Sequence, residues 1–137
     1  MKKLQEAFYN YNFKDNEQYL TIANNYYNYK ELKKGDIIFV SNYKYSNSKK
    51  GKYHLFLIIN KYGIYTHGML ISSQTDKEWY QYNIYIKKDL ENKLKKDSLI
   101  KTDYIYVIEK EYIINKIGTV NKTILNKCLN LNKIIKT

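Results

Sequence analysis

The sequence predicts an α+β fold: a small, mainly antiparallel β-barrel with a helix ahead of it and an amphipathic helix at its C-terminal end. Three observations carry this expectation. Several short apolar segments of strand character follow one another between positions 37 and 108. Turn signals, Lys34-Gly35-Asp36 and Lys61-Tyr62-Gly63, punctuate them. A helical apolar period occurs on either side of that region, over 15–29 and 120–131.

Taken in order, positions 15–29 read as a helix with Asp15 as N-cap and an apolar face of Tyr19, Leu20, Ala23, Tyr26 and Tyr27. Positions 37–40 form a first core strand, and the polar stretch 41–52 a long loop within the domain. The run 53–60 (Tyr-His-Leu-Phe-Leu-Ile-Ile-Asn) is continuously apolar, as a strand buried on both faces requires. After the turn at 61–63, positions 64–73 return as its partner. Further strands are expected over 80–86 and 104–108. In the last helix Ile124, Leu125, Cys128, Leu129 and Leu131 fall near one face, and Asn121 or Thr119 can cap it. With neither a repeat nor a linker, residues 1–137 are expected to form one domain, comprising a helical extension (1–33) and the barrel with its C-terminal helix (34–137).

Composition narrows the function. The 137 residues carry 24 Lys+Arg, every one a lysine, against 13 Asp+Glu, a formal net charge of +11. Codon bias toward Lys, Asn, Ile and Tyr accounts for lysine in place of arginine, but that exchange is charge-neutral and leaves the surplus unexplained. A surplus of this size points to a polyanion, most simply nucleic acid; charge kept for solubility alone is the plainer reading. The single Cys128 excludes a disulfide framework and a cysteine zinc site, and it fits a reducing compartment. No apolar run approaches the roughly 18 residues of a membrane span, and Met-Lys-Lys-Leu-Gln-Glu-Ala lacks the apolar segment of a secretory leader. A cytoplasmic protein with no membrane partner is expected.

Chemistry gathers at one end of the central hairpin. If Asn60 pairs near Ile64, within one or two residues, Lys52 stands opposite Ser72, Tyr53 opposite Ile71, and His54 diagonal to Ser72. Lys52, His54, Ser72 and Ser73 then meet beside a basic loop holding Lys44, Lys49 and Lys50. A cation, a proton carrier and hydroxyl donors are what a phosphate-directed site needs. His54 is the general acid/base candidate; on the same strand face as Phe56 and Ile58 it also reads as a histidine at the edge of the core. Ser72 and Ser73 read equally as turn formers at a strand end. His67 lies six residues from Ser73, about 20 Å along a strand, and is expected to be structural. Lys77 is near enough to reach the pocket. Tyr43 and Tyr45 alternate with Lys44, a pattern suited to stacking bases while following a backbone, and Trp79 either stacks a base or anchors the core. Cys128, on an apolar helix face, is expected to be inert. Asp36, Asp76 and Asp97 are too scattered for a metal site, so no metal or cofactor is expected.

The ordered motifs resemble the PemK/MazF toxin family. Lys33-Lys34-Gly35-Asp36-Ile37-Ile38-Phe39-Val40 is similar to its opening strand. Gly51-Lys52-Tyr53-His54 stands where that family writes Gly-x-Arg-Pro. Met69-Leu70-Ile71-Ser72-Ser73 is similar to the strand that ends in a catalytic Thr or Ser. Lys96-Asp97-Ser98-Leu99-Ile100, and Ile117-Gly118-Thr119-Val120 before the last helix, resemble its later elements.

The resemblance implies a half-open, SH3-like barrel and a metal-independent endoribonuclease toxin. In that family the ribose 2′-hydroxyl of single-stranded RNA attacks the adjacent phosphate, leaving a cyclic phosphate and a 5′-hydroxyl. It also implies inhibition by a cognate antitoxin, and a homodimer or an RNA-bridged ring. The family arginine is missing; Tyr53 or His54 occupies its place, so either His54 with Lys52 takes over proton transfer or the activity is altered or lost. Ser72-Ser73 followed by Lys77 is similar to the ToxN-like branch, whose antitoxin is a structured repeat RNA, and the net charge favours that inhibitor over a protein. On this reading Lys52 and Lys77 neutralise the phosphate, and Ser72 or Ser73 binds its oxygens or the 2′-hydroxyl. Tyr53, Tyr43, Tyr45, Lys44, Lys49 and Lys50 contact bases or backbone. The alternatives are an RNA-binding module or regulator on the same barrel without catalysis, and a protein-interaction domain, which leaves the charge unexplained.

Overall fold

Strands β2 (Asp36–Ser41) and β3 (Tyr53–Tyr62) are apolar over most of their length because both of their faces are covered. In the computed structural model, which describes residues 2–3, 28–41, 53–77 and 80–136, they sit mid-sheet beside β4 (Tyr65–Ser72). The other strands are β1 (Lys2–Lys3), β5 (Asn83–Ile86), β6 (Ser98–Lys101), β7 (Tyr106–Glu109) and β8 (Ile113–Thr119). The sheet runs β1-β7-β4-β3-β2-β8, with β6 also on β4 and β5 on β6. All pairs are antiparallel except the short β1 with β7. The path does not close, so this is the half-open α+β barrel that the sequence predicts.

Alternate residues feed two cores. Ile37, Phe39, Leu55, Leu57, Met69 and Ile71 pack with Ile84, Ile86 and Ile100 against the C-terminal helix α1 (Lys122–Lys136), where Cys128 is fully buried. Ile38, Val40, Phe56, Ile58 and Leu70 pack on the other face with Tyr106, Ile108, Tyr112 and Leu32. Asn121 caps α1, its Oδ1 accepting from the Ile124 N–H at 2.9 Å. Thr119, the other candidate cap, instead donates to Asp36 Oδ1 at 2.9 Å.

The Gly35-Asp36 pair locks the opening of β2. Gly35 has φ +93°, a conformation that L side chains rarely adopt. Its N–H donates to the Ile58 carbonyl and its own carbonyl accepts from the Val120 N–H. Asp36 is fully buried and accepts from the Lys33 N–H as well as from Thr119. Lys61 seats the chain ahead of β2: its Nζ donates to the carbonyls of Tyr29 (2.6 Å) and Leu32 (2.9 Å) and lies over the Tyr29 ring.

Most expected elements are present, with shifted ends. The strand expected over 80–86 is confined to Asn83–Ile86, that over 104–108 becomes Tyr106–Glu109, and the helix expected over 120–131 begins at Lys122 and runs to Lys136. Strands β6 and β8 were not expected as strands. The helix expected over 15–29 lies outside the described residues except for Asn28 and Tyr29, where Tyr29–Glu31 forms a single 3-10 turn. Among the described residues no helix is long and apolar enough to cross a membrane.

Candidate active site

The β3–β4 register decides which side chains meet. Leu55 pairs with Ile71 and Val40 with His54, so one further step of the ladder sets His54 across from Ser72. Directly opposed residues in an antiparallel pair point to the same face, about 4.5–5.5 Å apart. The expected pairings of Lys52 with Ser72 and Tyr53 with Ile71 are therefore displaced by two residues. The cause lies in the turn. Tyr62 pairs with Tyr65 around Gly63-Ile64, further out than the expected reversal, and a bulge between Ile58 and Asn60 takes back one residue.

Ser72 also pairs with Leu99 of β6, and Leu99 with Tyr85 of β5. Val40, His54, Ser72, Leu99 and Tyr85 thus form one row across five strands on one face of the sheet. His54 is buried, 2% exposed, with its ring edge-on to Phe56 at 5.6 Å. Among the described residues no buried side-chain nitrogen or oxygen lacks a hydrogen-bond partner. Ser72 is half-buried, and its Oγ accepts from the Gln74 N–H at 3.2 Å, closing the turn that leaves β4. Ser73 follows in that bend. Tyr53, across from Ser41, points to the other face and stacks on Phe39, rings 5.2 Å apart and nearly parallel.

His67 pairs with Val107 and rests against Tyr62. It is five residues from Ser72, about 17 Å along the strand, which keeps it out of this group. Lys52, Lys44, Lys49, Lys50, Tyr43, Tyr45 and Trp79 lie outside the described residues. Lys77 ends the 3-10 turn Thr75–Lys77, three residues beyond Gln74. The Lys96-Asp97-Ser98 motif builds the start of β6. Asp97 accepts from the Lys88 N–H (2.9 Å) and the Tyr85 hydroxyl (2.7 Å), and these two bonds, in that order, hold its carboxyl below the usual carboxylate range. A cavity of about 840 Å³ opens beside β8 and the 89–95 loop; it is lined in part by Lys93, Lys95 and Lys116 and shares no residue with the His54–Ser72 group. Among the described residues no three His, Cys, Asp or Glu side chains gather as a metal group.

A profile of the PemK-like, MazF-like toxins of type II toxin–antitoxin systems matches residues 33–135. The chain belongs to this family. Forty-one chains of solved structures match its fold. One is a mycobacterial endoribonuclease in complex with its cognate antitoxin, at 11% sequence identity and a TM-score of 0.50, covering 75% of this chain and 90% of that one. At that identity the likeness is one of fold. The comparison with curated proteins gave no match.

The opening strand, the strand ending in Ser72 and the Asp97-Ser98 element all fall within the matched span. What sequence reasoning missed is β6. Its Lys96–Ile100 segment was recognised as a motif but not as the strand that flanks Ser72. The four residues of the strand, Ser-Leu-Ile-Lys, are too few to show a strand period in the sequence.

Proposed function

We propose that this toxin cleaves single-stranded RNA without a metal, using the end of the β3–β4 hairpin. The enzyme class comes with the family: it is an endoribonuclease toxin of a toxin–antitoxin system, held inactive by a cognate antitoxin. The observation that supports the mechanism is the end of the β3–β4 ladder, where Leu55 pairs with Ile71 and the next residues on either strand are His54 and Ser72. The ribose 2′-oxygen bonds to phosphorus as the bond to the 5′-oxygen breaks. The proton lost by the 2′-hydroxyl is balanced by the one gained at the 5′-oxygen. His54 carries protons in this exchange, and Ser72 or Ser73 donates to a non-bridging oxygen or holds the 2′-hydroxyl. Lys52 and Lys77 neutralise the phosphate, while Tyr43, Tyr45, Lys44, Lys49 and Lys50 contact flanking nucleotides; Tyr53, which stacks on Phe39 on the other face, takes no part. The products are a 2′,3′-cyclic phosphate and a 5′-hydroxyl.

Mixed single-stranded RNA incubated with the protein in EDTA should yield discrete fragments with cyclic-phosphate ends, lost in His54→Ala and Ser72→Ala. Salt-sensitive binding without fragments would instead establish a non-catalytic RNA-binding module. Two observations bear on the inhibitor. The net charge of +11 supports a structured RNA, whose capture would be tight and salt-dependent; the type II description of the family supports a protein. Ribonuclease treatment of the toxin–antitoxin complex separates them, because only an RNA inhibitor is destroyed and releases active toxin. Size measurement of the free and inhibited toxin distinguishes a homodimer from an RNA-bridged ring.

A further inference from the structure

The His54–Ser72 group supplies an imidazole and a hydroxyl, a phosphodiester also needs a cation, and the sequence has no arginine. Strand β6 offers a candidate. Ile71 pairs with Ile100 and Ser72 with Leu99, so Lys101 follows opposite Leu70, one position diagonal from Ser72. Parity places it on the same face. Ile100 packs into the core with Ile71 and Ile84, whereas Leu99 and Lys101 project to the side that carries Ser72 and His54. A diagonal neighbour stands roughly 7–8 Å away, within reach of a long side chain. Lys101 is half-buried, and Asn83 and the 39%-exposed Tyr85 flank it across β5.

We propose that Lys101 is the phosphate-binding cation of this site, neutralising the non-bridging oxygens of the phosphodiester that His54 and Ser72 act on. The inference rests on the endoribonuclease reading. It shares the role that the proposed function gives to Lys52 and Lys77. It explains how a chain without arginine places a fixed positive charge beside a buried histidine: β6 carries the lysine on a strand rather than on a loop, so the pleat aims it.

The test is Lys101→Met, which keeps the apolar stem and removes the charge, beside Lys101→Arg and the control Lys122→Met on the exposed start of α1. All are checked for an unchanged unfolding temperature. Single-turnover cleavage of a short RNA should fall about 10²-fold in Lys101→Met and recover largely in Lys101→Arg. Binding of a non-cleavable 2′-O-methyl RNA is measured against salt. The slope of log K on log salt should become shallower by about 0.7 in Lys101→Met, and stay unchanged in Lys101→Arg and Lys122→Met. Unchanged cleavage and slope in Lys101→Met, or an equal loss in Lys122→Met, would overturn the assignment. If the wild-type protein binds RNA without cutting it, the endoribonuclease reading fails, and the binding slope alone decides for or against Lys101.

Discussion

Asp36→Ala should cost far more stability than one surface carboxylate ordinarily contributes. The carboxylate is fully buried and accepts from the Lys33 N–H at 3.0 Å and the Thr119 hydroxyl at 2.9 Å, with Lys116 at 3.4 Å. Hydrogen bonds to a charged group contribute about 1.5–3 kcal/mol each, and removing the acceptor strands both donors. The Lys116 pair adds little, because that lysine is 40% exposed and water screens it. A loss of about 3–5 kcal/mol follows, on the order of 10–15 °C in unfolding temperature for a domain of this size. Asp36→Asn retains one carbonyl acceptor, and the Thr119 hydroxyl can reverse to accept from its amide, so it should lose about 1–2 kcal/mol. Urea and thermal unfolding followed by circular dichroism measure both. Asp36→Ala within about 1 kcal/mol of wild type, or Asp36→Asn as damaging as Asp36→Ala, would refute this account of the Gly-Asp opening.

Two further outcomes are expected. Gly118→Ala would bring a Cβ to 2.3 Å from the Asn92 carbonyl oxygen and 2.6 Å from that of Glu91, both backbone, so β8 and the 89–92 turn must separate; urea unfolding should show a loss of about 3 kcal/mol or more, whereas Gly63→Ala, with open space and φ +58°, should lose only about 1 kcal/mol. Burial pushes the Cys128 thiol up to about 12, so its contribution to stability is complete below the unfolded value near 8.5 and declines as pH rises toward 12; iodoacetamide at pH 8 should leave the folded protein unmodified and label it once urea unfolds it.

Legibility in the sequence followed the strength of the physical constraint. The run at 53–60 was readable because burial on both faces leaves almost no polar position, and the last helix because its period is regular and Asn121 caps it. Strand β6 was hidden because four residues are too few to display a period. Strand β8 was hidden because Asn115 and Lys116 break its alternation, and its ladder with β2 shifts register twice. At the hairpin end, the common face of positions 54 and 72 was legible, though they were expected as diagonal rather than opposed neighbours; the position of β6 beside Ser72 was not, because nothing local says that residues 98–101 lie there.

An error of two residues in register kept His54 and Ser72 on one face, and the reason lies in the pleat. Side chains alternate with period two, so an even slip exchanges neighbours and keeps each residue on its face, while an odd slip turns it over. Counted from Tyr62–Tyr65, the ladder would set His54 against Ser73 and leave Ser72 on the opposite face. The bulge between Ile58 and Asn60 removes that odd step, so that Leu55 meets Ile71 and the ladder brings His54 to Ser72. The bulge therefore selects which serine shares a face with the imidazole. Under the proposed function, Ser72→Ala should reduce cleavage by 10²-fold or more and Ser73→Ala by only a few-fold, both read as single-turnover rates on one RNA. Removing Ile59, which abolishes the extra residue, should reverse their order in any variant that still folds and cuts. A dominant Ser73 in the unaltered chain would mean that the serine does not act from His54's face.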